Sequence, residues 1–271
     1  ELFWFDFTGN IKWKTSGTKK NVVFLPHYIF TEKQTRQYDK KLKKNLAVYL
    51  SYADKKETEY EKVYTVYEHL TKRISYREGS RYNQNLISGM VNEETVCTGY
   101  AKSLQYIYQK MGIPCRMVYG RANGQNHAWN LVQIEGTDCY VDPTWGSNNQ
   151  KMSKGFFGMT EEELLRGHTL DQGLKVPKCS SKKNNYYVRQ NHYYRQFELG
   201  KIYNQLCEQK NQGQISFQMG SRKEYEKACR QLITDRKIFD LLRRVPGFGA
   251  KKMEVAYYTD RQLYIMTINF K

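Results

Sequence analysis

The sequence predicts an α+β protein in which a helix that begins at a cysteine packs on an antiparallel sheet that carries a histidine and an aspartate. Apolar residues recur at helical spacing after Cys97. Alternating apolar stretches that begin at His127 and end at Asp142 flank Glu135 and Gly136, which is typical of a hairpin. An N-terminal β and helical segment precedes this core, and a small tyrosine-rich α+β unit follows it.

The composition indicates a globular protein with a basic surface. Of the 271 residues, 39% are hydrophobic and 14% are aromatic, whereas disordered chains are poor in aromatic residues. Lys and Arg number 44 against 27 Asp and Glu, and the net charge of +17 favours contact with polyanions such as nucleic acid, anionic wall polymers or membranes. Because the basic residues are spread along the chain, a solvated basic surface is an equally good interpretation.

Apolar runs and cysteine spacing exclude several classes of protein. No apolar run approaches the roughly 18 residues of a membrane helix, so no transmembrane segment is expected. The sequence begins without an export signal, which indicates either a cytosolic protein or an exported one whose signal is missing. The six cysteines include no C-x-x-C pair, which argues against a zinc ribbon or a thioredoxin-type motif.

The predicted N-terminal unit, residues 1–55, contains a β element and a long helix. Residues 2–7 and 11–14 are predicted to be strands around a turn at 8–10, with a third strand at 22–25. Thr31 and Gln34 form a capping-box pattern that starts a basic helix ending at about residue 50. A second helix carries an apolar stripe at positions 60, 63, 67, 70 and 74, and residues 77–94 are predicted to be an irregular loop.

Cys97 is predicted to open a helix that ends at Gly112, two residues before a proline. At a helix N-terminus, unpaired backbone N–H groups and the positive end of the macrodipole favour the thiolate, which is the reactive form of cysteine. The same N–H groups can hold an oxyanion. Cys97 is therefore the candidate nucleophile.

The register of the predicted hairpin brings a carboxylate to a histidine. If residues 135–136 are the two loop residues, Asp142 lies opposite Trp129 and on the same face as His127, as its diagonal neighbour. Diagonal neighbours have α-carbons roughly 7–8 Å apart, within reach of a carboxylate and an imidazole. Asp142 is therefore the candidate partner of His127.

Asn130 is the competing third member of the site. It lies three residues from His127, and odd spacing on a strand places it on the opposite face. Asp142 is then the better orienting group, because a carboxylate that accepts the ring N–H holds the tautomer and stabilises the imidazolium. We expect His127 to act as the base for Cys97, with Asp142 orienting it.

Three motifs in this region resemble the core pattern of the transglutaminase-like superfamily. They are Val96-Cys97-Thr98-Gly99-Tyr100-Ala101, His127-Ala128-Trp129-Asn130 and Asp142-Pro143-Thr144-Trp145. Intervals of 30 and 15 residues separate the cysteine, the histidine and the aspartate, which resembles the compact bacterial branch rather than the animal enzymes with their longer insertions. The flanking segments are similar to exported Gram-positive proteins of this type.

The resemblance implies a papain-like fold, a thioester formed from a glutamine side chain or related acyl donor, and attack on it by an amine or water. It also implies a secreted, cell-surface or wall location. In this family a polar side chain upstream of the cysteine often completes the oxyanion hole, and Gln84 is the candidate, with Trp129 and Trp145 as further oxyanion or substrate contacts. The animal enzymes need calcium, but no D-x-D-x-D loop occurs here, so neither a metal nor another cofactor is expected.

The catalytic core is predicted at residues 56–184 and the C-terminal unit at 185–271, after a linker at about 175–185. Helices are expected at about 197–209 and 223–234, a strand at 214–218 and a hairpin at 253–270. Residues 241–252 resemble a helix-hairpin-helix DNA clamp. Alternation after Met253 favours a strand where that motif needs a second helix, so nucleic acid is the least favoured partner.

No catalytic or metal-binding role is predicted for Cys115, Cys139 or the other histidines. Cys115 and Cys139 lie in strand-like contexts and are expected in the core. The remaining histidines show no partner pattern and are assigned no function: His27, His69, His168 and His192.

The predicted function is thiol-dependent acyl transfer, in which Cys97 is acylated and passes the acyl group to an amine or to water. A cysteine peptidase or amidase with the same triad is an alternative, because the chemistry up to the thioester is shared. A non-catalytic module that binds a polyanion or wall polymer is the other. The expected partners are a protein or peptide acyl donor and an amine acceptor, with an anionic cell-wall polymer as a further partner.

Overall fold

The computed structural model describes residues 5–6, 12–17, 21–25, 27–148, 153–248 and 253–271. The N-terminal strands are β1 (Phe5–Asp6), β2 (Lys12–Ser16), β3 (Asn21–Leu25) and β4 (His27–Tyr28). The strands predicted at 11–14 and 22–25 are confirmed for residues 12–14 and 22–25, but among the described residues β1 and β2 pair with other strands and not with each other. β2 pairs with β3, its neighbour across the short connection at 17–20, and β1 pairs with β4. The predicted turn at 8–10 lies outside the described residues.

Two helices follow, α1 (Glu32–Ala53) and α2 (Glu59–Arg73). Each begins with a capping box, formed by Thr31 with Gln34 in α1 and by Thr58 with Glu61 in α2. The predicted apolar stripe of α2 is buried throughout, at Tyr60, Val63, Tyr67, Leu70 and Ile74. Both helix predictions are confirmed, and α2 forms part of the scaffold beneath the sheet.

The segment predicted as an irregular loop contains regular structure. It contains α3 (Leu86–Met90) and ends at the start of β6 (Glu94–Thr95), which pairs in parallel with β5 (Ser75–Tyr76), the strand just before the segment. Every residue of α3 is buried, and Asn85 caps it by accepting the N–H of Ile87. The prediction failed because a five-residue helix is too short to show a 3.6-residue period.

The core is α4 (Cys97–Lys110) packed on a five-stranded antiparallel sheet of order β10-β9-β8-β7-β11. The strands are β7 (Cys115–Ala122), β8 (Gln125–Ile134), β9 (Thr137–Val141), β10 (Phe157–Met159) and β11 (His168–Leu170). Short helices α5 (Pro143–Asn148) and α6 (Glu161–Leu164) lie between the later strands. The predicted fold class, an α+β core with a cysteine-bearing helix on an antiparallel sheet, is confirmed.

The two faces of β8 bury different clusters. Val132 and Ile134 belong to the large cluster formed with α1, α2, α3 and α4. Trp129 and Leu131 alternate with them and belong to a second cluster, which also includes Ile265 near the C-terminus. His127 shares the face of Trp129, so the sheet carries its histidine on the side away from the main helical cluster.

The C-terminal elements form a second sheet covered by helices. After α7 (Tyr186–Arg189), the strands are β12 (Tyr193–Tyr194), β13 (Gln214–Met219), β14 (Val255–Asp260) and β15 (Ile265–Phe270), in the order β12-β13-β15-β14. The helices are α8 (Leu199–Gln209), α9 (Arg222–Cys229), which continues as a π turn over Arg230–Thr234, and α10 (Lys237–Arg244). α8, β13, α9 with its π turn and the β14–β15 hairpin match the elements predicted for this unit, whereas α7, β12 and α10 were not predicted.

Residues 171–185 contain no regular secondary structure, as predicted, yet several of them are buried. Cys179, Asn184 and Asn185 are each at most 1% exposed. Asn184 Nδ2 donates to the carbonyl oxygens of Ile134 and Thr137, at 3.0 and 3.2 Å. This segment is therefore anchored to the turn between β8 and β9. The proposed division into units at residue 185 stays a prediction.

The region that resembles a DNA clamp continues as a strand. α10 ends at Arg244, and β14 begins at Val255. Between them, residues 249–252 lie outside the described chain, and residues 253–260 contain no helix. The second helix that the clamp requires is thus replaced by β14, as the alternation predicts. In the described parts of the chain, none of the helices is long and apolar enough to span a membrane.

Candidate active site

Cys97 is the first residue of α4, and its position follows from the elements around it. Val96 is the N-cap, with extended backbone and no side-chain cap bond, so the first N–H groups of the helix are not covered by a capping side chain. Gly99 lies directly against Thr95 and Ser88, where a Cβ atom would collide with both hydroxyls. The first turn of α4 can therefore approach β6 and α3 closely. Cys97 itself is half-buried and carries a free thiol.

The imidazole of His127 lies beside the thiol of Cys97, close enough for each group to shift the pKa of the other. His127 Nε2 lies 2.8 Å from Asp142 Oδ2, which leaves Nδ1 for the thiol. The backbone N–H of Ala128 and the hydroxyl of Thr98 also lie near the sulfur and lower the pKa of the thiol. The structure thus brings together all three residues that the sequence predicts as a triad.

The electrostatics of the pair favour a charged thiolate and imidazolium. Burial alone would raise the pKa of the Cys97 thiol, but the hydrogen bond and charge of His127, with Ala128 N–H and Thr98, outweigh it and lower that pKa. Burial alone would lower the pKa of His127, but the charge and hydrogen bond of Asp142 and the contact with Cys97 raise it to about 10. Both shifts favour the thiolate–imidazolium form of the pair over the neutral form.

Asp142 is the buried carboxylate that contacts His127. Burial opposes its ionisation, yet the charge and hydrogen bond of His127, followed by those of His168, hold the pKa of the carboxyl well below its usual range. Its Oδ1 accepts the backbone N–H groups of Thr144 and Trp145, at 2.9 and 3.0 Å, so it also caps α5. The carboxylate is ionised and oriented from both of its oxygens.

The predicted hairpin register is confirmed. Asn130 pairs with Val141 and Ile134 with Thr137, and Glu135 and Gly136 form the turn with positive φ values of 48° and 73°. This register places Asp142, one residue past β9, diagonally across from His127.

Asn130 is fully buried on the other face of β8. Its Nδ2 donates to the carbonyl oxygen of Ala101 in α4 at 3.0 Å. Asn130 therefore tethers the nucleophile helix to the sheet and does not contact His127.

His168 belongs to the same cluster and was missed by sequence reasoning. Its Nε2 lies 3.0 Å from Asp142 Oδ2, the oxygen that also contacts His127. It is carried by β11, which pairs with β7 at the edge of the sheet. No local pattern marks it, because its partner Asp142 lies 26 residues earlier in the chain and the two meet only through strand pairing.

The two predicted tryptophans enclose the imidazoles. Trp129 is fully buried, and its ring stacks beside His127 at a centroid distance of 5.8 Å. Trp145 is partly buried, with centroids 6.2 Å from His127 and 4.4 Å from His168. Both rings restrict the motion of the histidines, and a direct contact of either with substrate stays a prediction.

Gln84 lies on an exposed turn beside the start of α4. The carbonyl oxygen of its neighbour Asn83 accepts the N–H of Val96 at 3.4 Å and the hydroxyl of Thr95 at 2.8 Å. Lys102, one turn into α4, donates to the Gln84 carbonyl oxygen at 2.8 Å. The backbone of Gln84 is therefore tied to the helix that carries the nucleophile, and its role in an oxyanion hole stays a prediction.

His127, Asp142 and His168 are also the side chains of the described residues whose donor atoms lie close enough together to hold a metal ion, within 4.8 Å of one another. The separations of 2.8 and 3.0 Å are those of N–H···O hydrogen bonds. With the two backbone bonds to Oδ1, these contacts fill the four acceptor positions of the carboxylate. The cluster is thus complete as a hydrogen-bonded group.

Three of the other cysteines, Cys115, Cys139 and Cys179, lie in environments that suppress reactivity. All six cysteines are free thiols. Cys115 and Cys139 are buried, as predicted, and burial raises the pKa of each far above its ordinary value. Burial also raises the pKa of Cys179, to about 12. Only the thiolate is a strong nucleophile, so the lowered pKa distinguishes Cys97 from these three.

Comparison with known proteins agrees with this arrangement. Residues 45–143 match the model of the transglutaminase-like superfamily, a segment that includes Cys97, His127 and Asp142. No curated protein is significantly similar to this sequence.

Several solved structures are similar to part of the chain. A TGase is 18% identical, with a TM-score of 0.37, over 43% of this chain and 34% of that one. A candidate cysteine protease from Cytophaga hutchinsonii is 22% identical, with a TM-score of 0.35, over 38% of this chain and 37% of that one. A candidate protease from Parabacteroides distasonis is 13% identical, with a TM-score of 0.31, over 48% of this chain and 35% of that one.

The matched regions span only about a third of the length of those three structures, between 34% and 37%. The family match and the site occupy the same part of the chain. Residues 45–143 are therefore a transglutaminase-like core, and the class of reaction to which this superfamily points is cysteine-based catalysis.

Proposed function

We propose that the protein is a cysteine acyltransferase in which Cys97 is the nucleophile, His127 the general base and acid, and Asp142 the group that orients the histidine. One observation carries the proposal: a thiol at a helix N-terminus lies beside an imidazole whose Nε2 is hydrogen-bonded to a buried carboxylate. This order of groups activates a thiol and returns its proton to a leaving group.

In the acylation step, the Cys97 thiolate attacks the carbonyl carbon of a glutamine-type side chain, and the carbonyl electrons move onto oxygen. The imidazolium of His127 then gives its Nδ1 proton to the amide nitrogen as the C–N bond breaks, and ammonia leaves. A thioester on Cys97 and a neutral imidazole remain. Asp142 stabilises the imidazolium before the transfer and keeps the Nε2–H tautomer after it.

In the second step, the neutral imidazole accepts a proton from a primary amine or water as that group attacks the thioester. The C–S bond breaks, and the thiolate and imidazolium are regenerated. An amine yields a new amide, and water yields a carboxylic acid. The triad performs both reactions equally, so the acceptor that reaches the thioester decides between a transferase and an amidase or peptidase.

The first turn of α4 supports an oxyanion site beside the sulfur. Backbone N–H groups at a helix N-terminus have no intrahelical partner and face the positive end of the dipole. We assign the second donor of this site to the side chain of Gln84, whose backbone is tied to α4 through Lys102. Two donors at the developing negative charge are the usual composition of such a site.

The test incubates the protein with a fluorescent primary amine as acceptor and a glutamine-rich protein as acyl donor, beside a peptide-hydrolysis assay. Cys97→Ala is the inactive variant, and Cys207→Ala, on the far helix α8, is the matched control. Amine incorporation that is lost only in Cys97→Ala supports the transferase. Hydrolysis without incorporation, lost in the same variant, supports the amidase or peptidase. Equal behaviour of wild type and Cys97→Ala in both assays contradicts the catalytic proposal.

The basic surface supports a second proposal, that the protein is secreted or cell-surface and contacts an anionic cell-wall polymer. α1 exposes basic side chains along its length, among them Lys33, Lys40, Lys41 and Lys44. Contact through such a surface weakens with salt. Co-sedimentation with purified wall polymer should therefore fall as salt rises, and fall further when Lys40 and Lys44 are changed to Glu. Binding by Cys97→Ala at the wild-type level would show that this contact is separate from catalysis.

A further inference from the structure

His168 is a buried imidazole that shares the carboxylate of Asp142 with His127. It is 3% exposed, and its Nε2 lies 3.0 Å from Asp142 Oδ2. His127 Nε2 lies 2.8 Å from the same oxygen. The rings of Trp145 and Trp129 enclose His168, at centroid distances of 4.4 and 5.0 Å. A polar ring in such a site has few orientations available, and the one it takes is directed at the carboxylate.

The acceptor positions of Asp142 are completely used. Oδ1 takes the backbone N–H groups of Thr144 and Trp145, and Oδ2 takes the two imidazoles. An ionised carboxylate only accepts, and it offers about four acceptor positions. Both Nε2 atoms must therefore carry a proton. The carboxylate cannot turn without breaking bonds at both oxygens.

We propose that His168 is a positioning residue of the triad: by donating its Nε2–H to Asp142 Oδ2, it holds the carboxylate in the orientation that receives His127. Without this bond, Oδ2 is held by His127 alone, and the carboxylate can rotate while keeping its two hydrogen bonds at Oδ1. The imidazole of His127 then turns with the carboxylate, and its Nδ1 no longer points at the Cys97 sulfur. The proposal rests on the proposed function, in which His127 is the base for Cys97.

The alternative is that His168 only fills space between the two tryptophans. The two roles can be separated, because an apolar side chain at position 168 leaves no buried group unpaired. Asp142 Oδ2 still accepts from His127, and the aromatic cavity is still filled. Leucine therefore keeps packing and loses the donor, whereas glutamine keeps a donor at nearly the position of Nε2.

The test measures how fast iodoacetamide alkylates Cys97 at pH 7, followed by the mass of the peptide that contains it. His168→Leu should slow the reaction roughly tenfold, which corresponds to about 1.4 kcal/mol, and His168→Gln should restore it to within about threefold of wild type. His192→Leu, a half-buried histidine on the C-terminal side, is the matched control and should react as wild type does. Equal rates for His168→Leu and wild type overturn the proposal. Equally slow leucine and glutamine variants also overturn it, because packing would then explain the loss.

A second measurement needs no variant. In wild-type protein, long-range nitrogen–proton NMR spectra should assign the Nε2–H form to His168, and a neutral Nδ1–H form would overturn the proposal. This result stays decisive if a variant fails to fold.

The design separates this proposal from the proposed function. Alkylation needs no acyl donor or acceptor, so it reports on the triad even if the protein transfers no acyl group in the assays above. If turnover is observed, His168→Leu should lower kcat and leave KM unchanged, since His168 is enclosed away from substrate.

Discussion

Replacing Asp142 by asparagine should remove most of the reactivity of Cys97 while leaving the fold in place. The two backbone N–H groups on Oδ1 select the amide oxygen for that side, which turns the amide NH₂ toward the imidazoles. An N–H group then faces two N–H donors, those of His127 and His168. His127 must take the other tautomer, with its proton on Nδ1 and directed at the thiol, and it can no longer act as a base.

The size of this effect follows from the bonds that are lost. Two N–H···O⁻ hydrogen bonds converge on Oδ2, at 2.8 and 3.0 Å. Each bond to a charged group contributes about 1.5–3 kcal/mol, so the pair contributes about 3–6 kcal/mol. With about 1.36 kcal/mol for each factor of ten, kcat should fall between roughly 10²-fold and 10⁴-fold. KM should change little, because Asp142 is fully buried and does not meet substrate.

The assay is amine incorporation, with alkylation of Cys97 by iodoacetamide as a substrate-free measure. Asp138→Asn is the matched control, since it makes the same change in β9 at a partly buried position paired with Gln133. Near-ultraviolet circular dichroism checks that both variants are folded. If Asp142→Asn keeps more than a tenth of wild-type kcat while folded, the carboxylate does not hold the base, and the triad assignment is refuted.

Three further predictions concern pH, packing and the oxyanion. The pKa of His127 is raised to about 10 from an ordinary value of 6.5. The stability that protonated His127 gives to the fold is therefore complete below pH 6.5 and is lost as the pH rises toward 10. In wild-type protein the urea midpoint should fall over that range, and His127→Gln should make this fall smaller. Gly120→Ala would place a Cβ against the carbonyl oxygen of Thr169 in β11 and should lower the free energy of unfolding by about 1–3 kcal/mol. Gly200→Ala meets open space and should not lower it. Equal urea midpoints for the two variants would contradict the close approach of β7 to β11 at Gly120. Gln84→Ala should lower kcat by roughly 10²-fold and leave the alkylation rate unchanged, because alkylation forms no oxyanion; an unchanged kcat would remove Gln84 from the site.

The elements that the sequence predicted correctly are those specified by neighbouring residues. Thr31 and Gln34 mark the start of α1, because a capping box lies within four residues. The β8–β9 register follows from the two-residue turn at 135–136, since a short turn with positive φ values leaves one pairing. The same register brings Asp142 to His127 and excludes Asn130, because side chains alternate between the faces of a strand.

The elements that were missed depend on contacts between distant segments. α3 has only five residues and is helical within a fully buried setting, so no period in the sequence indicates it. β2 takes β3 rather than β1 as its partner, and strand composition does not choose between partners. The burial of Asn184 and Asn185 in a segment with linker composition likewise depends on the strands against which they pack.

The sequence by itself identified Cys97, His127 and Asp142 as the candidate nucleophile, base and carboxylate, because a helix start and a hairpin register are local and each places its side chains by a fixed period. Only the tertiary structure decided that a second imidazole completes the acceptor set of Asp142. His168 reaches the carboxylate because β11 joins the far edge of the sheet beside β7, a pairing between segments that are distant in the chain. Such pairings depend on the packing of the whole core, and no local pattern around His168 encodes its partner.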